Sequence, residues 1–203
     1  NKDPATLKRV QRIVSRLSAQ TGAFRPEALQ WDWEINVISS DELNAFCYPG
    51  GKMIILTGII QKLRLNDDEI AAILGHEIAH ALREHTRERY SQGMITSIAV
   101  SAAGQKIGSF ADLLGQSWMM YNSRTAETES DRIGIELMAR AGYNPDGAIT
   151  LWRKMADHSG EENTTFWWLQ SHPLSSDRLK TVSQDAETVR PLYEEARQRA
   201  QKA

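Results

Sequence analysis

The sequence predicts an α+β fold, mostly helical, with a small antiparallel sheet packed beside one central helix. Three observations carry this expectation. The stretch from Asn66 to Glu88 is apolar around most of its circumference, as in a helix buried among others. Ahead of it, two short strand-like runs flank Pro49-Gly50-Gly51, a hairpin signature. Much of the remaining chain repeats its apolar residues at helical spacing.

At 203 residues and 41% hydrophobic content, the chain is long enough for one full-sized core, and a single domain is expected. The net charge of -2 comes from 24 basic and 26 acidic residues, well mixed. That balance supplies no electrostatic footprint for nucleic acid and no polybasic membrane patch. The single cysteine, Cys47, lies in an apolar strand-like run and cannot form an internal disulfide, so it reads as a buried structural thiol. No run approaches the roughly 20 apolar residues of a membrane span, so no transmembrane segment is expected in the chain. The nearest candidate, Met94 to Leu114, is interrupted by Gln105, Lys106 and Asp112 and reads as a small-residue helix or a flap. The chain opens at Asn1-Lys2-Asp3-Pro4, without an initiator Met or a signal-like apolar region, as expected of a processed product.

In order, Asp3 and Pro4 suit the cap and first turn of a helix on which Leu7, Val10, Ile13, Val14 and Leu17 face the core until Gly22. Its Lys8, Arg9, Arg12 and Arg16 are expected to form a solvated outer face. Trp31 to Ile38 alternates as a strand does. Asn44 to Tyr48 and Lys52 to Leu56 form the hairpin, whose edge strand could pair with an extended peptide. Thr57 to Ile60 opens a short helix that leads to Asn66, which with Glu69 forms a capping pair for the central helix. Gly142 marks a helix end, and Asn144-Pro145 starts another that runs to about Asp157. Phe166-Trp167-Trp168-Leu169 reads as a core lid rather than a binding platform. Ser175 or Ser176 caps a helix after His172-Pro173, and Thr188 to Ala203 forms a solvent-facing helix.

The central helix carries His76-Glu77-Ile78-Ala79-His80, an HExxH pattern. Histidines four apart stand one turn above each other, so both imidazoles can reach one metal ion while Glu77 leans toward the same space. Zinc suits such ligands, and a catalytic zinc keeps three protein ligands and an open position for water. The third ligand is not on the same helix. A histidine six residues after His80 would be required by the metzincin pattern, but Thr86 and Arg83 occupy the diagnostic positions. His85 falls roughly 140° around the helix from His80 and reads as a surface or supporting residue.

A later helix, Ser123 to Ala141, offers the ligand. Glu127, Asp131, Gly134, Met138 and Ala141 share one stripe, whereas Glu129, Arg132, Glu136 and Arg140 share another. The second stripe reads as solvated, with Glu129 pairing Arg132 and Glu136 pairing Arg140. Glu127 and Asp131 face the core, where carboxylates need a cation or strong donors. Periodicity therefore favours Glu127 over Glu129.

Taken together, Asn44-Ala45-Phe46 with Pro49-Gly50-Gly51, the HExxH pattern, Ser123 to Asp131, Gly142-Tyr143-Asn144-Pro145, and His172-Pro173 with Arg178 resemble the successive motifs of the HtpX-like and CAAX-protease-like zinc metallopeptidases. The resemblance spans Val37 to Val182 and is strongest to the soluble bacterial cell-envelope branch. It implies a gluzincin-type zinc peptidase core over residues 31–183, between an N-terminal packing helix in 1–30 and a C-terminal helix in 184–203. It implies one zinc ion held by His76, His80 and Glu127, with Glu77 as general base and His172 as a catalytic donor to the oxyanion. It further implies that Asp131 and Arg178 support the site from behind, and that Asn44, Ala45 and Phe46 contact substrate. Ser130 stands where the family usually has Ala.

The activity implied is endopeptidase cleavage of unfolded or misassembled cell-envelope proteins, as part of protein quality control, with a periplasmic or outer-membrane-associated location. A second reading is a periplasmic chaperone or assembly factor with a latent site, whose client binding would survive Glu77→Gln. A third is a self-inhibited enzyme in which Met94 to Gln116 covers the cleft.

Overall fold

The computed structural model describes residues 3–85, 124–158 and 167–202. Its elements are α1 (Pro4–Ser18), two 3-10 turns (Thr21–Ala23 and Pro26–Gln30), β1 (Glu34–Ile38), β2 (Ala45–Tyr48), β3 (Lys52–Leu56), α2 (Thr57–Lys62), α3 (Asp67–Leu82), α4 (Arg124–Arg140), α5 (Asp146–His158), α6 (Trp167–Ser171), α7 (Ser176–Thr188) and α8 (Arg190–Lys202). The expected flap between Met94 and Gln116 lies outside the described residues, as does Phe166. No described helix is long and apolar enough to cross a membrane.

α1 forms where a helix is expected because Asp3 caps it, accepting from the Thr6 N–H at 3.0 Å, and Pro4 opens its first turn. It buries Val10, Ile13, Val14 and Leu17, each worth about 1.5–3 kcal/mol of transfer free energy. Its outer face is more engaged than expected. Arg9 and Arg12 donate to Asp67 at the start of α3, at 2.5 and 3.0 Å, and Arg16 donates to the Ala141 carbonyl while lying over the Tyr143 ring. The expectation of a purely solvated stripe fails because the amino end of α3 and the carboxyl end of α4 come within arginine reach.

The sheet has the order β1-β3-β2. β2 and β3 form the expected antiparallel hairpin, with Ala45 opposite Ile55 and Tyr48 opposite Lys52. β1, however, joins β3 in parallel, from Glu34 opposite Lys52 to Ile38 opposite Leu56, so the sheet is mixed rather than wholly antiparallel. The cause is the link between β1 and β2. It crosses the end of β3, where the Gly58 N–H donates to the Ser40 carbonyl at 2.8 Å and the Thr57 hydroxyl to the same oxygen at 3.0 Å.

α3 is the buried centre, with every residue from Glu69 to Leu82 out of solvent. Asn66 and Glu69 close the expected capping box, each side chain accepting from the other's main-chain N–H at 2.9 Å. The helix ends at Leu82, short of the expected Glu88, because Glu84 adopts φ 56° and Arg25 takes over the terminus, donating to the Leu82 carbonyl and the Glu84 carboxylate.

α4 crosses α3 at two glycines. A Cβ on Gly134 would stand 2.7 Å from the His76 nitrogen, and one on Gly75 would stand 2.8 Å from the Gly134 carbonyl oxygen. The two backbones therefore touch immediately beside the first histidine. The core and solvent stripes of α4 are as expected, with Glu127, Asp131, Gly134 and Met138 buried. Glu136 pairs Arg140 at 2.7 Å. Glu129, by contrast, pairs Arg83 at 2.6 Å rather than Arg132, because the turn after α3 brings Arg83 across to it.

Gly142 leaves α4 at φ 76°, and the Asn144 main chain donates to Asp68, which locks the α4–α5 connection to the start of α3. Ser175 caps α7 through the Arg178 N–H. The chain from residue 184 onward is not one helix: α7 ends at Thr188, and Pro191, in the first turn of α8, prevents its continuation.

Gly134→Ala is expected to lower stability by about 1–3 kcal/mol, since the new methyl meets rigid backbone rather than a yielding side chain. The urea midpoint measures it; an unchanged midpoint would show that the two helices separate without cost.

Candidate metal centre

The HExxH turn of α3 and the first turns of α4 meet in a buried pocket. The His76 and His80 Nε2 atoms are 3.0 Å apart. Glu127 reaches between them, with Oε1 3.2 Å from His80 Nε2 and Oε2 3.5 Å from His76 Nε2. A fourth donor comes from beyond α6, where His172 Nδ1 lies 3.1 Å from His76 Nε2 and 2.9 and 3.0 Å from the two Glu127 oxygens. All four residues are buried, and their donor atoms lie within 4.8 Å of one another.

The four residues fit a divalent ion. Metal–ligand bonds of about 2.0–2.1 Å in a tetrahedron imply donor–donor edges of about 3.3 Å, and the separations among His76, His80 and Glu127 run from 3.0 to 3.5 Å. Burying three imidazoles and a carboxylate together without a partner would also be costly.

Behind the donors stand the two supporting residues named from the sequence. Asp131, one turn after Glu127, accepts the His76 Nδ1–H at 2.9 Å, which turns Nε2 toward the cluster. Arg178 places all three guanidinium nitrogens. Nε donates to Asp131 Oδ2 at 2.6 Å, Nη2 serves Asp131 Oδ1 at 2.9 Å and Glu127 Oε2 at 2.7 Å, and Nη1 donates to the Pro173 carbonyl at 3.1 Å. It lies over the Trp152 ring at 4.0 Å. One residue thus ties the His172-Pro173 turn to both carboxylates.

Burial alone would push the Asp131 carboxyl up, but the Arg178 charge and hydrogen bonds, with His76, hold it below the usual carboxylate range. Glu127 follows the same pattern more strongly, with His172 as the chief opponent of desolvation. Burial drives His80 well down, against Glu127, which favours the neutral imidazole that a metal requires. His76 goes the other way, because Asp131 and Glu127 outweigh its desolvation.

Two residues do more than the sequence suggests. Of the two places expected for His85, surface or supporting, the structure gives the second: it is buried, with Nδ1 3.1 Å from His80 Nδ1 and 3.3 Å from the Ser130 hydroxyl. A helical projection could not choose between them because the helix has already ended. Trp168, expected as core, is 1% exposed, and its indole Nε1 also donates to Glu77 Oε1 at 2.7 Å. No spacing signal points from Trp168 to Glu77; only the aromatic run before His172-Pro173 marks the segment.

Asn44, Ala45 and Phe46 form the entry to β2, an edge strand among the described strands. The preceding Leu43 carbonyl accepts the Trp168 main-chain N–H at 3.2 Å, so this strand abuts the residue that holds Glu77. Cys47 is buried and unpaired in a disulfide, and burial, reinforced by Glu77, pushes its thiol up, in keeping with an inert packing role.

Comparison with known proteins matches residues 4–186 to the model of peptidase family M48. The chain is 33% identical over 189 residues to the mitochondrial metalloendopeptidase OMA1 of Schizosaccharomyces pombe, covering 89% of this chain and 53% of that protein. To the OMA1 of Saccharomyces cerevisiae it is 35% identical over 173 residues, covering 81% and 50%. To the β-barrel assembly-enhancing protease of Escherichia coli K12 it is 27% identical over 171 residues, covering 77% and 35%. The chain spans about half or less of the length of these relatives. The expected bacterial cell-envelope location is overturned: mitochondrial relatives match at 31–35% identity, above the 26–27% of the bacterial proteases.

Arg178→Ala, which strips two buried carboxylates of their cation, is expected to destabilise the metal-stripped protein by about 3–5 kcal/mol at neutral pH. Because the folded Asp131 carboxyl is held low, this stabilisation is present above the ordinary Asp range and is lost as pH falls through and below it. Urea titrations at pH 7 and pH 3 should therefore show the gap between wild type and variant narrowing; a constant gap would contradict the assignment.

Proposed function

Because the chain belongs to peptidase family M48, a family of metal-dependent peptidases, we propose that it is a zinc endopeptidase cleaving unfolded or misassembled proteins. One observation carries this reading: Glu77 is buried beside a four-donor cluster, one residue from His76 and 3.4 Å from His172 Nε2. His76, His80 and Glu127 would hold the zinc ion, which when bound supplies Lewis-acid polarisation of the scissile carbonyl and acidifies water.

The chain's own groups do the rest. Glu77 takes the proton of the attacking water and passes it to the leaving amine. His172 donates to the oxygen on which negative charge develops. Asp131 fixes the orientation of His76, and Arg178 holds Asp131, Glu127 and the His172-Pro173 turn in one arrangement. An extended substrate lies along the entry of β2, where Asn44, Ala45 and Phe46 contact it in the manner of an added strand. The class of substrate is supported by a relative named for β-barrel assembly and by others named metalloendopeptidases.

A second reading is favoured by the place of His172. With its Nδ1 inside the donor set, four side chains crowd a site that needs an open position for water. On this reading the enzyme rests self-inhibited, and His172 withdraws when substrate enters.

Glu77→Gln is expected to bind zinc as the wild type does and to leave casein uncut. Cleavage by this variant at equal zinc would remove Glu77 as the base. On the second reading, His172→Ala is expected to lose zinc to a chelator more readily than the wild type; equal retention would leave His172 in the donor role of the first reading.

A further inference from the structure

The Glu77 side chain has three torsions, and the last of them, which turns the carboxylate plane, is soft. Its Oε1 lies 3.4 Å from His172 Nε2, and left to itself the carboxylate could swing away from there into the donor cluster and become another ligand. One contact opposes that motion, the 2.7 Å hydrogen bond from the Trp168 indole to the same Oε1.

The donor is itself fixed from several sides. Its ring sits 4.6 Å from that of His172, 5.2 Å from that of Trp152 and 5.4 Å from that of His76. Its main-chain N–H is bound to Leu43. Indole offers a single N–H and no acceptor, so this bond has one direction and cannot be exchanged for another by rotation of a small group. At this depth, losing it would leave a buried N–H and a buried carboxylate oxygen both short of a partner.

We propose that Trp168 is a positioning residue for the general base: its indole N–H pins Oε1 of Glu77, so that Oε2 faces the attacking water and the carboxylate stays out of the ligand set. The inference rests on the reading of Glu77 as base. It separates the two jobs of the indole, since Phe keeps the ring and loses the donor, whereas Leu loses both.

The test compares zinc-loaded wild type, Trp168→Phe, Trp168→Leu and Glu77→Gln on a fluorogenic peptide derived from casein. Melting temperature and zinc retention against a chelator are measured alongside. Misplacing a catalytic group by about 1 Å can cost on the order of 100-fold. Trp168→Phe is therefore expected to lower kcat by about 10- to 100-fold, with KM and zinc retention within about twofold of wild type. Trp168→Leu should lose kcat to the same extent while also melting earlier. A Trp168→Phe variant with kcat within about twofold of wild type, or one whose loss lies in KM or zinc, would overturn the inference. So would a loss confined to Trp168→Leu, which would assign the effect to packing. Activity surviving in Glu77→Gln would overturn the base role and this inference with it. An inactive Glu77→Gln beside an unimpaired Trp168→Phe would overturn the inference alone.

Discussion

The contact between Gly75 and Gly134 sets the spacing on which the site depends. Helices separated by ordinary side chains stand 8–10 Å apart, too far for a carboxylate on one to lie between two imidazoles on the other without long, mobile arms. Removing both Cβ atoms lets the backbones meet beside His76. Glu127, two turns before Gly134, then needs only its own short side chain to come within 3.2 Å of His80. Stability and site geometry are thus governed by the same few ångströms, which makes the two difficult to alter separately.

Charge is distributed around this crossing in layers. Innermost are the donors of His76, His80, Glu127 and His172; behind them stand Asp131 and then Arg178, backed by the face of Trp152. A lysine could not replace the outer cation. Arg178 meets two carboxylates and a carbonyl from one rigid plane, and a single ammonium cannot span acceptors placed in those directions. The planar fork also joins α4 to α7, so the ordering of the site and the docking of the C-terminal helices draw on one set of bonds.

Much of this could be read from the sequence because it follows helical periodicity. The 3.6-residue repeat separates Glu127 and Asp131 from Glu129 and Glu136, and capping residues mark the start of α1, α3 and α7. What escaped depends on contacts between distant segments. The parallel pairing of β1 follows from hydrogen bonds at residues 40, 57 and 58, which leave no pattern in β1 itself. The early end of α3 follows from Arg25, far upstream, and from the backbone of Glu84. With that end went the choice between the two places open to His85, and the partner of Glu129. Trp168 looked like any core aromatic because burial and hydrogen bonding of an indole are compatible, and only the fold shows which acceptor it meets.

The order of the site residues along the chain has a consequence for biosynthesis. The ribosome delivers His76, His80, Glu127 and Asp131 well before Trp168, His172 and Arg178. A nascent chain that has reached α5 carries the proposed ligand residues His76, His80 and Glu127 but has no guanidinium to reconcile Glu127 with Asp131 and no indole to hold Glu77. The segment from 167 to 178, which carries these last groups, is made after the rest of the site. For an enzyme proposed to attack unfolded polypeptide, the nearest such polypeptide at that moment is its own unfinished chain, and the site stays incomplete until that segment has emerged.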